Sequence, residues 1–147
     1  MSAPILASSC ARAATAEEAR FRIDRPIAGR SARIIALDAA AAHVVARVAE
    51  LPWGASRFFP DPDALDPEAD LRDADVAIMV ATAAAKADTA ATIARACASR
   101  GIMTAGIVLG DRHEVGAAVA ALRPYARNLM STEDEDDVAA VLTALRA

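Results

Sequence analysis

The feature that most constrains the fold is the order in which two hydrophobic periods follow one another. "ARIIALD" (residues 32–38) is a short apolar run, and "AAAAHVVARVAEL" after it places Ala41, Val44, Val45 and Val48 on one helical stripe. "SRFF" (56–59) reads as a short strand, and "DVAIMVAT" (75–82) is the clearest strand in the chain. A second stripe follows with Ala90, Ile93, Ala94 and Cys97, then the strand "IMTAGIVL" (102–109) and a helix with Val115, Ala118, Val119 and Leu122 inward. The last unit is the strand "RNLMS" (127–131) and a helix carrying Val138, Val141, Leu142 and Leu145. Strands that alternate with helices become parallel neighbours joined by right-handed crossovers. The expectation is therefore α/β: a three-layer, doubly wound, Rossmann-like parallel sheet of about five strands in the order 2-1-3-4-5.

Composition agrees with thin layers. At 147 residues the chain suits one domain. Hydrophobic residues make up 55% and aromatics 3%, so the core is to be built from small aliphatic side chains. We read residues 1–20 as a flexible lead and 21–147 as the domain, with "RFRID" (20–24) at most an edge strand because Pro26 interrupts it. "PDPDALDPEADLRDAD" (60–75), with three prolines, reads as a surface loop containing one helical turn near Glu68 to Leu71.

The net charge of -4 and pI near 5.1 speak against nucleic acid or an anionic membrane as partner, since both require clustered Lys and Arg. No run reaches the roughly 20 apolar residues of a membrane span. The start "MSAPILASSCARAATA" lacks the early positive charge and apolar core of a signal peptide. Cys10 and Cys97 have neither metal-ligand nor disulfide-framework spacing, which points to a reducing, cytoplasmic setting.

In the expected strand order, ligands bind where the winding reverses, beside the carboxyl ends of the first and third strands. The loops there are "LDAAAAH" and "ATAAAKADT". The candidate ligand-binding residues are Asp38, Ala39, Ala40 and His43 on the first, and Thr82, Lys86, Asp88 and Thr89 on the second. Lys86 is the only lysine in the chain and suits a phosphate or carboxylate. Asp38 suits a ribose, an amine or the cap of the next helix, and Asp88 or Thr89 suits a cap of its own helix. His43 and His113 both fall near the carboxyl edge, yet neither has a catalytic partner in the sequence. The acid run Glu133 to Asp137 favours a helix N-terminus over a metal, with Thr132 and Glu135 at capping-box spacing, as are Asp111 and Glu114. No catalytic or metal-ligating set is assigned.

The quoted loops and strands resemble the nucleotide-binding domain of the FtsZ and tubulin family. There a first strand leads to a GGAGGN-type turn, an "aDmvfv" strand leads to a GGGTGTG phosphate loop, and a helix with an "AkelGiltvgvVt" tail follows. Here the counterparts are "IIALDAAAAHVVARVAE", "DADVAIMVATAAAKADTAATIARACASRGIMTAGIVLG" and "LRPYARNLMST", in matching order from about residue 33 to 132. The resemblance implies the fold. It does not carry the family's GTP contacts over, because Ala39 to Ala42 and Ala83 to Ala85 replace the glycines that let backbone amides reach phosphate oxygens. The segment that would supply the family's second domain and catalytic acids is also absent from this sequence. A receiver domain shares the strand order but needs an aspartate ending the third strand and a lysine ending the fifth, where "MVAT" and "LMST" stand.

Two function classes follow. One is a non-catalytic FtsZ-like module with a degenerate phosphate site, acting through protein contacts or as a homodimer, with no cofactor. The other is a small-ligand or nucleotide-binding protein, an enzyme among the options, that takes GTP or another anion through Lys86 and the helix N-termini.

Overall fold

A computed structural model describes residues 29–145 and 147. The lead and the "RFRID" segment lie outside the described residues.

Among the described residues five strands form one parallel sheet: β1 (Ala32–Ala36), β2 (Arg57–Phe59), β3 (Val76–Thr82), β4 (Met103–Leu109) and β5 (Asn128–Thr132), ordered β2-β1-β3-β4-β5. The helices are α1 (Ala39–Val48), α2 (Pro67–Asp70), α3 (Ala87–Ala98), α4 (Gly116–Leu122) and α5 (Asp136–Ala144). A 3-10 turn at Pro62–Ala64 precedes α2 within the proline-rich loop. Register is continuous across the centre, with Ile34 beside Ile78 and Ile78 beside Ala105.

Because side chains alternate across a strand, β3 feeds two cores. Ala77, Met79 and Ala81 face α3 and α4, where Ile93, Cys97 and Leu122 are buried. Val76, Ile78 and Val80 face α1 and α5, where Val45, Val138 and Leu142 are buried. The small side chains foreseen from composition bring the layers together, and at β4 even a methyl is too much. A Cβ on Gly106 would lie 2.7 Å from Leu129 Cδ1 and 3.3 Å from Ala126 Cβ.

Gly101 ends α3 at φ +68°, with Ile102 N–H donating to Cys97 O and Gly101 N–H to Ala98 O. That bond pair is the Schellman arrangement, which places Ile102 in the core beside Cys97.

Two expected capping boxes do not form. The Asp111 carboxylate accepts from His113 N–H, so residues 111–115 make a turn and α4 starts only at Gly116. At α5, the Thr132 hydroxyl donates to Asp137 and accepts from Asp134 N–H, while Glu135 pairs with Arg47 of α1. In both places a short polar side chain finds an amide two residues on before the helix begins, and that local turn displaces the box.

Periodicity did not anticipate Arg33, which sits in the fully buried β1 at 5% exposure. Its guanidinium donates to the carbonyls of Asp70, Arg72 and Ala32 and to Ser31 Oγ. Asp70 in turn pairs with Arg57 at 2.9 Å. Burial, and next the neighbouring Arg57 charge, lower the Arg33 pKa from its ordinary value. The network ties the 60–74 loop to the amino end of the sheet, opposite the edge where ligands bind in this fold. Among the described residues no helix is long and apolar enough to cross a membrane.

Candidate functional site

The reversal of winding lies between β1 and β3, whose carboxyl ends deliver Asp38 and Thr82 to adjacent positions. Asp38 has extended backbone (φ -148°, ψ 169°) and caps α1, its Oδ1 accepting from Ala41 N–H at 2.8 Å. The same carboxylate reaches across the switch point. Oδ2 accepts from Thr82 N–H at 2.7 Å, and Oδ1 accepts from the Thr82 hydroxyl at 3.0 Å. Thr82 Oγ1 then accepts from Ala84 N–H, and Thr82 O from Ala85 N–H, which closes the second loop into a turn.

The electrostatic consequence is direct. A helix N-terminus flanked by loop amides attracts an anion, and here a side-chain carboxylate of the chain already holds that place on α1. Bringing a phosphate to the same amides would set two anions side by side. The Asp38 and Thr82 pair is also no nucleophile and base. Both carboxylate oxygens are engaged by backbone amides, so the contact to the hydroxyl braces the two loops.

The other predicted residues are not gathered around this pair. Ala39 and Ala40 are exposed on the first turn of α1, and His43 is exposed further along it. Lys86 is exposed and precedes α3 with no side-chain cap bond. Asp88 and Thr89 do not cap α3, contrary to expectation. They lie inside its first turn and line a groove of about 230 Å³ with Pro62, Asp63, Leu65 and Pro67 of the proline-rich loop. The helix begins at Ala87, two residues earlier than a cap at Asp88 and three earlier than one at Thr89 would require, which puts both residues inside the first turn. The first turn of α3 therefore has no side-chain cap, and Lys86 is the cation nearest to it in sequence.

His113 is exposed in the turn after β4, and among the described residues neither histidine ring makes a hydrogen bond. Cys97 is fully buried, and burial pushes its thiol pKa up to about 11 against the opposing Arg100 charge. It is a core side chain rather than a reactive thiol. Within the acid run, the Glu135 and Asp137 carboxylates are taken up by Arg47 and Thr132, and that of Asp134 accepts from Asp136 N–H. Among the described residues no three His, Cys, Asp or Glu side chains converge as a metal site would require.

The bridge from Asp38 to Thr82 was within reach of the sequence, since both residues end neighbouring strands of the expected order. What the sequence did not reveal is a groove of about 340 Å³ on the α5 face, floored by Val76, Ile78, Ala105 and Ile107. Its residues come from three strands and a helix end.

Comparison with protein-family models, curated proteins and solved structures returns no match.

Proposed function

We propose that this chain is a non-catalytic, cytoplasmic module with an FtsZ-like, Rossmann-like architecture, acting through protein contacts and self-association as a homodimer. The observation that carries the reading is the Asp38 carboxylate spanning both loops of the switch point. Loss of the glycine turns removes the close approach of backbone to phosphate, and the internal carboxylate supplies a like charge in the place of the ligand. Together they favour a cradle that holds no nucleotide.

The test is the melting temperature of the full chain with magnesium and GTP, GDP, ATP, NAD, FMN, phosphate or small carboxylates. A ligand specific to the native state must raise it. A flat panel is expected, together with a dimer mass by light scattering at tens of micromolar. A shift of several degrees with one compound overturns the silent-cradle reading.

One observation supports the second reading, a small-anion site. The first turn of α3 is uncapped and Lys86 beside it is exposed. On that reading Lys86→Ala lowers the affinity for whichever compound gives the shift, and an unchanged affinity removes Lys86 from the site.

A further inference from the structure

β5 is an edge strand, and among the described residues nothing pairs with its outer side. Asn128, Met130 and Ser131 are exposed, and none of residues 128–132 is charged or proline. Proteins ordinarily protect an open edge with charge, proline or a bulge, because its free amides and carbonyls are a template for another strand. Gly110 N–H donates to Thr132 O, and with Leu109 paired to Thr132 the alternation along the strand turns Asn128, Met130 and Thr132 toward β4 and the amides of Leu129 and Ser131 outward.

We infer that β5 is the dimer interface: it pairs antiparallel with β5 of a second copy about a two-fold axis at Met130, joining the two sheets into one. The inference rests on the self-association reading and names its surface.

The register follows from the symmetry. With Met130 opposite Met130 of the second copy, Asn128 faces Thr132, and Arg127 faces Glu133 one position beyond each end. The two-fold makes that ion pair twice. Arg127 and Glu133 are both exposed, and neither forms a salt bridge among the described residues. The charges that flank the uncharged strand are thus of opposite sign at its two ends, which suits antiparallel pairing with itself. A parallel pairing would put arginine beside arginine.

The apolar surface agrees. Met130 is 47% exposed and Met103 37%, both beside the groove under the end of α5. A two-fold perpendicular to the sheet keeps the same face up in both copies, so the two grooves meet at the junction. The paired Met130 side chains, with Cα atoms about 4.5 Å apart for a non-hydrogen-bonded pair flanked by hydrogen-bonded pairs of Leu129 with Ser131, then cover each other and the groove rim.

The experiment is sedimentation equilibrium of the full chain, with circular dichroism to establish folding. Wild type should be a dimer at tens of micromolar. Arg127→Glu places four carboxylates at the two ends of the junction and should weaken dimerisation at least tenfold, and the exchange Arg127→Glu with Glu133→Arg should restore it. Ser131→Pro, which removes an outward amide but no bond to β4, should also give a folded monomer. A wild-type dimer indifferent to all three changes overturns the β5 interface while leaving self-association intact. A wild-type monomer overturns both. Recovery by the exchanged pair is the result that a merely destabilised fold cannot produce.

Discussion

Replacing Asp38 by alanine tests whether the switch point is a closed brace. The substitution removes three hydrogen bonds: the cap to Ala41 N–H and the contacts to Thr82 N–H and Thr82 Oγ1. A lost N-cap costs about 1 kcal/mol. A hydrogen bond to a charged acceptor contributes about 1.5 kcal/mol in a shielded place. Asp38 and Thr82 are half-buried, so water recovers part of each loss, and bonds to one carboxylate do not add independently. The net cost should be about 2–3 kcal/mol. For a chain of this size that lowers the melting temperature by about 6–10 °C. Urea unfolding measures it, with an unchanged m-value showing that the folded state is otherwise intact. Thr82→Val supplies the second arm of a double-mutant cycle, and a coupling of about 1 kcal/mol is expected. If Asp38→Ala costs less than about 0.5 kcal/mol, the brace contributes nothing and the argument fails. The same variant should gain a melting shift with phosphate that wild type lacks, since the α1 amides lose their internal anion; equal behaviour of the two proteins would show that the carboxylate is not what closes the cradle.

Other expectations are narrower. Burial raises the Cys97 thiol to about 11, above its unfolded value, so the folded state binds the proton more tightly. This stabilisation is complete below pH about 8.5 and is lost as pH rises toward 11, by about 3 kcal/mol in all. Cys97→Ala should remove that alkaline slope from urea midpoints, and an unaltered slope would assign it elsewhere. Gly106→Ala sets a methyl against Leu129 and Ala126, and although the leucine end can turn, Ala126 cannot; a loss of about 1 kcal/mol in denaturant is expected, and a neutral change would show slack at β4. Arg33→Met keeps the bulk and strips the carbonyls of Asp70 and Arg72 of their donor. It should cost about 3 kcal/mol and expose the 60–74 loop to proteolysis before the sheet. Uniform proteolysis would refute the role of that network as an anchor.

The strands and their order were legible because period-2 and period-3.6 patterns report directly which faces are buried, and parallel crossovers leave few topologies. Legibility stopped at the helix starts. At Asp111 and Thr132 the correct residue types stood at capping-box spacing, but short side chains closed local turns first. The candidate site was half legible. Asp38 was recognised as a cap and Thr82 as a candidate binding residue of the second loop, yet their shared hydrogen bonds depend on strand register, while Asp88 and Thr89 fall inside α3 because the helix starts at Ala87.

The sequence by itself determined a glycine-poor α/β sheet with aliphatic cores on two faces, because periodicity and side-chain size are local properties of the chain. Only the tertiary structure decided three matters. It brought an aspartate across the winding reversal to the place an anion takes, buried Arg33 among loop carbonyls, and left the outer side of β5 without a neighbour among the described residues. Each depends on groups distant in sequence meeting at hydrogen-bond range, which one-dimensional patterns do not encode.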